Sequence, residues 1–92
     1  MENYNFPISW IPLSDNTPLC IGVSHCPGKL KPKKGSNTQL LVDLESLRRQ
    51  NISSIVTLVT EHEISLLGID GFNENVQKYN FEHYMNFHYT IL

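Results

Sequence analysis

Long apolar runs are missing from this sequence: stretches such as Ile64 to Ile69 fall far short of the ~20 residues a membrane-spanning helix requires. Net positive charge is missing too, since seven Lys and Arg stand against nine Asp and Glu, a formal charge of −2 with His neutral. Nothing in that balance calls for nucleic acid or a membrane surface. The opening residues, Met1 to Pro7, carry no basic segment followed by an apolar one, so they do not read as a secretory signal. Cysteine is scarce, with only Cys20 and Cys26 present. Two cysteines without a signal point to a reducing compartment, cytoplasmic or nuclear, and favour free thiols over a Cys20–Cys26 bridge.

What is present suits one small domain. The 92 residues are 40% hydrophobic and 17% charged. A chain of this length buries only somewhat over ~60% of its unfolded surface, so its stability is marginal unless something else helps.

Along the chain, Ile8-Ser-Trp-Ile-Pro-Leu13 is apolar but contains Pro12, which cannot donate to a ladder; it reads as a short edge strand. Turn residues Asp15 to Pro18 lead to Leu19-Cys-Ile-Gly-Val23, a second strand that Cys26-Pro27-Gly28 ends. Residues 27 to 37 read as a solvated loop carrying Lys29, Lys31, Lys33 and Lys34, with anion binding as the lesser alternative. Leu40, Leu41, Leu44 and Leu47 then form one stripe of a 3.6-residue period, predicting a helix over 38–50. Ser36 and Gln39 offer a capping box, with Thr38 as a competing cap. Arg48 and Arg49 suit the last turn, and Asn51 suits a left-handed stop.

Ile52-Ser-Ser-Ile-Val-Thr-Leu-Val-Thr60 is uncharged and rich in β-branched residues, which predicts a strand buried on both faces of a helix-covered parallel sheet. Thr60 and Glu63 form a second capping box, opening a helix that stops at Gly68. Gly71 and Asn73 punctuate the chain again, a short helix runs from Asn73 to Tyr79, and Phe81 to Tyr84 is a candidate strand. The expected order is ββαβααβ, an α/β arrangement.

Motifs that carry chemistry are weak. Gly22-Val-Ser-His-Cys-Pro-Gly28-Lys29 follows a strand like a phosphate-cradling loop, but five residues separate its glycines and Leu30 stands where a hydroxyl must be. Pro27 also removes a backbone donor. His25, His62, His83 and His88 are scattered, with no C-x-x-C pair and no H-E-x-x-H helix, so they read as unligated. Glu63 is accounted for by capping rather than by acid–base work beside His62. Tyr79, Phe81, Tyr84, Phe87 and Tyr89 cluster near the C-terminus, yet only Lys78 interleaves with them, which argues for core or edge aromatics over a nucleic-acid platform.

The run Leu19 to Gly28, the helix Leu41 to Asn51, the strand Ile52 to Thr60 and the segment Glu61 to Leu67 together resemble the N-terminal half of the cyclin-dependent kinase inhibitor 3 family. These are the kinase-associated dual-specificity phosphatases of the cysteine-dependent tyrosine phosphatase superfamily. The resemblance spans roughly residues 8 to 84. It implies a sheet of order 1-2-5-3-4 whose fifth strand feeds a phosphate loop. It also implies a thiolate nucleophile followed after five residues by an arginine, and an aspartate general acid on a preceding loop. None of these matches here. Six positions after Cys20 is Cys26, six after Cys26 is Pro32, and the only arginines are Arg48 and Arg49 on a helix. Where the acid loop should follow Tyr84, the chain reads Met85-Asn-Phe-His-Tyr-Thr-Ile-Leu92.

The expectation is an incomplete tyrosine/dual-specificity phosphatase-like α/β fold lacking the central strand and phosphate-loop half. Residues 1–84 form the N-terminal half of the domain and 85–92 a divergent tail. The expected function is that of a truncated, catalytically inactive relative of these phosphatases, not an enzyme as this chain, with no catalytic, cofactor-binding or metal residues and no cofactor. The alternatives are a small non-enzymatic protein-interaction module, or a fragment of an active phosphatase that needs its missing C-terminal half. A protein partner is expected, a cyclin-dependent kinase by the resemblance alone, in cytoplasm or nucleus, with no role for nucleic acid or membrane. Without a central strand, the 8–13/19–24 pair and the 53–60/81–84 pair would share no partner, leaving strand edges and an apolar face open.

Overall fold

The computed structural model describes residues 4–16, 20–29 and 38–85. They form β1 (Ser9–Pro12), β2 (Cys20–Val23), α1 (Thr38–Arg49), β3 (Ser54–Thr57), α2 (Glu61–Leu66), α3 (Phe72–Lys78) and β4 (Glu82–Met85). The order is the expected ββαβααβ, an α/β domain with two small sheets. One sheet is the antiparallel pair β1–β2, with Trp10 opposite Gly22 and Ile11 opposite Ile21. The other is the parallel pair β3–β4, with Ile55 opposite His83 and Val56 opposite Tyr84. Among the described residues no strand joins the two sheets. Among the described residues no helix is long and apolar enough to cross a membrane.

Each helix ends in the same way, and the endings build the core. Past α1, Asn51 is left-handed at φ 65°, its N–H reaches the Arg48 carbonyl at 3.0 Å, and Ile52 N–H reaches the Leu47 carbonyl at 3.1 Å. Past α2, Gly68 at φ 72° does the same, with Gly68 N–H on Ser65 and Ile69 N–H on Ile64. Past α3, Asn80 at φ 65° repeats it, with Asn80 N–H on Gln77 and Phe81 N–H on Val76. These paired bonds define Schellman stops, in which the residue after the left-handed one packs on the residue that accepts its N–H. Leu47 with Ile52, Ile64 with Ile69 and Val76 with Phe81 therefore meet as apolar pairs. Five of those six belong to the buried core, which Phe6, Leu40, Leu44 and Phe72 complete.

The second capping box forms as its sequence implies: Glu63 N–H donates to Thr60 Oγ1 at 3.1 Å, and Thr60 N–H donates to Glu63 Oε1 at 3.0 Å. Accepting the Thr60 amide keeps the exposed Glu63 carboxyl below its ordinary range. The first proposed box involves Ser36, outside the described residues, and Gln39 instead donates its Nε2 to Asp43 at 2.7 Å. The lysine loop beyond Lys29 and the tail from residue 86 also lie outside the described residues. Met85, assigned to that tail by sequence, ends β4.

One expectation is corrected. The 52–60 strand is neither nine residues long nor buried on both faces: β3 has four residues, of which Thr57 is buried and Ile55 half-buried, while Ser54 and Val56 are exposed. The helical core pairs engage only one side of this sheet, so among the described residues no second layer covers alternate positions.

Candidate functional site

The segment that sequence compared with a phosphate loop is tied to α1 by a buried carboxylate. Asp43 is 1% exposed and sits on the leucine stripe of the helix. Its Oδ2 accepts from Gly28 N–H at 2.8 Å, while its Oδ1 accepts from Tyr4 Oη at 2.7 Å and from Gln39 Nε2 at 2.7 Å. An amide that would face a phosphate in a cradle thus faces an internal anion already in place. Gly28 is needed on two grounds: its φ is +86°, and a Cβ there would lie 3.0 Å from Leu40 Cβ and 3.2 Å from Ile69 Cγ2. Burial, then the bond to Asp43, push the Tyr4 phenol up to about 12, so it remains a protonated donor at neutral pH.

Ser46, one turn further along α1, is the matching anchor for the segment before β1. It accepts from Phe6 N–H at 2.7 Å and from Gln50 Nε2 at 3.1 Å, and Gln50 Nε2 also reaches the Phe6 carbonyl at 3.2 Å. Sequence reasoning missed both anchors. The signal was there: Asp43 and Ser46 fall three residues after Leu40 and Asp43 respectively, on the face that the leucines bury, where a polar side chain needs a partner.

The cysteines are both free. Cys20 is exposed on β2 opposite Pro12. Cys26 is half-buried, and burial pushes its thiol up to about 11, with Asp43 adding to the rise and Lys29 opposing it. A reactive thiolate needs the opposite shift, a pKa brought down by nearby donors or cations. The arginines are engaged with other groups: the Arg48 guanidinium lies over the Phe81 ring at 5.6 Å, and Arg49 Nη2 donates to the Tyr4 carbonyl at 3.2 Å.

Two of the histidines are packing groups. His25 lies against Phe6 with ring centroids 4.6 Å apart. His83 meets the edge of Phe72 at 5.5 Å, and its Nε2 shares a 2.8 Å hydrogen bond with Thr57 Oγ1. Desolvation holds the His83 pKa below its ordinary 6.5. Between the folded and unfolded values the unfolded chain binds the extra proton, so this contribution is present above about pH 6.5 and is lost as pH falls through the lower folded value. Denaturant midpoints measured from pH 7.5 down to 5 should therefore fall in the wild type. The His83→Gln variant should show a shallower decline, and equal slopes would remove His83 as the cause.

An open cleft of about 240 Å³ lies between α2 and α3, with Glu61, Asp70 and Glu74 at its rim and Ile64, Phe72 and Met85 among its walls. Its volume is below that of ordinary ligand pockets, ~300–1,000 Å³. Among the described residues no group of three or more His, Cys, Asp or Glu is placed to hold a metal ion.

The other distinctive surface is apolar. Trp10, Ile11, Ile21 and Val23 on the β1–β2 pair, and Val56, Leu58 and Tyr84 on or beside the β3–β4 pair, are exposed. Both β1 and β2 are exposed at every position. Edges differ in protection. β1 carries Pro12, which lacks an amide donor, and β4 carries Glu82, whereas β2 and β3 contain neither charge nor proline. Charge and proline are the usual devices that keep a strand edge from pairing. Set against known proteins, the chain matches no protein-family model, no curated protein and no solved structure.

Proposed function

We propose that this chain is a catalytically inactive half of a dual-specificity phosphatase-like domain, of the kinase-associated kind, and that it acts by binding rather than by turnover. The observation that carries this reading is the division of the strands. Among the described residues an antiparallel pair and a parallel pair share no strand, and the edges left without charge or proline are those of β2 and β3. In a 1-2-5-3-4 sheet those are the two neighbours of the absent fifth strand, the one that carries the nucleophile and phosphate loop. The raised Cys26 pKa and the engagement of Arg48 with Phe81 support the absence of turnover. The kind of partner that accompanies the reading is a cyclin-dependent kinase, in cytoplasm or nucleus.

Incubating the purified chain with p-nitrophenyl phosphate and with a phosphothreonine peptide tests the enzymatic part. Release of phosphate should stay at the buffer rate and be unaltered in Cys20→Ser and Cys26→Ser variants. Turnover that either substitution abolishes would overturn the proposal, because it would give this chain a working thiolate.

A further inference from the structure

We propose that the free edge of β3 pairs with β3 of a second copy of this chain, antiparallel, about a two-fold axis at Val56. The proposal stands on the geometry of β3 alone and does not depend on the phosphatase-like reading. In a strand, alternate residues direct their backbone groups to alternate sides. Glu82 N–H donates to the Ser53 carbonyl at 2.9 Å, so residues 53, 55 and 57 bond toward β4. Ser54 and Val56, and Leu58 by extension, then direct their amides and carbonyls to the other edge, where no strand pairs among the described residues.

A two-fold axis matches such an edge to itself in one way. Val56 exchanges both backbone bonds with Val56 of the second copy, and Ser54 meets Leu58. The pairing joins the two sheets as β4-β3-β3-β4. On the outer face it sets Val56 beside its symmetry mate and, by the register with Tyr84, forms an apolar row of Tyr84, Val56, Val56 and Tyr84. These side chains are now exposed, Val56 at 55%, Leu58 at 67% and Tyr84 at 51%.

A second copy is the occupant that the strand chemistry favours. Self-pairing fails where like charges face each other across the axis, and Ser54-Ile-Val-Thr57 carries none. The strand β2 is the weaker acceptor, since Gly22 sits in its middle with no side chain to pack across a junction. Three apolar side chains and one strand of backbone per copy lie near or below the ~1,200 Å² that marks the low end of specific interfaces. The dimer is therefore weak and reversible.

Sedimentation velocity on the full chain from about 10 µM to about 1 mM tests this. The weight-average mass should rise from one chain toward two. Val56→Lys sets two ammonium groups across the axis, on Cα atoms ~5.5 Å apart, and should weaken association at least tenfold. Because Val56 is exposed, the thermal midpoint of the dilute variant should stay at the wild-type value. Hydrogen exchange on the wild type gives a reading independent of any variant: the Ser54 and Val56 amides should exchange more slowly at the higher concentrations. A single-chain mass throughout overturns the proposal, as do concentration-independent exchange at these amides and association lost in Ile21→Lys but kept in Val56→Lys. The last outcome would place the contact on the β1–β2 pair.

Discussion

Asp43→Ala is expected to lower the stability of the folded chain by about 3 kcal/mol, read as a fall in the urea midpoint with an unchanged slope. The reason is the number of donors it abandons. Gly28 N–H is buried against Asp43, and Tyr4 Oη and Gln39 Nε2 share its other oxygen. A hydrogen bond to a charged acceptor contributes ~1.5–3 kcal/mol, and a buried donor left unpaired costs ~1–3 kcal/mol. Removing the desolvation cost of the carboxylate offsets part of the loss, which is why three bonds are not simply added. Small domains have roughly 0.05–0.15 kcal/mol of stability per residue, about 5–14 kcal/mol for a chain of this length, so a change of this size is a large fraction of it. Asp43→Asn separates shape from charge: it keeps an acceptor for Gly28 but turns an amide donor toward two other donors. Its midpoint should fall between those of wild type and Asp43→Ala. If Asp43→Ala matched the wild type, the network would be decorative.

Leu44→Ala should cost about as much by a different route. Leu44 is fully buried at the centre of the α1 stripe, among Leu40, Leu47 and the residues brought in by the helix stops. Removing a buried leucine side chain loses its transfer free energy and leaves a cavity, for a total of ~2.7–5 kcal/mol in well-packed sites. Helical circular dichroism should disappear in a single transition at lower temperature, since α1 and the Schellman pairs share one core. A midpoint within a degree or two of wild type would mean that α1 is not held by that stripe. Leu41→Ala, three residues away and less buried, is the comparison that separates burial from helix propensity.

The two effects differ in how readable they were. Leu44 announces itself through spacing: an apolar residue at 40, 41, 44 and 47 can only bury one helical face. The capping box at Thr60 and Glu63 and the stops at Asn51 and Gly68 were legible for the same reason, because each acts on backbone groups within a few residues. The third stop, at Asn80, used the same chemistry and carried the same kind of signal. Asp43 was less legible, because its worth depends on Gly28 and Tyr4, 15 and 39 residues away in sequence. The 52–60 segment was misread for a related reason. An uncharged β-branched run is compatible with a strand covered on both faces or on one, and its composition is the same in either case.

By itself the sequence determined the order of elements, where the helices begin and end, and the lack of a cysteine and an arginine six positions apart. Those features depend on local backbone bonding or on spacing along the chain. Only the tertiary structure decided that Val56 and Leu58 face outward and that Asp43 meets the amide of Gly28. It also decided that Cys26 is desolvated. Burial and the local electrostatic environment are set by groups distant in sequence, and they take a value only when the chain has brought those groups together.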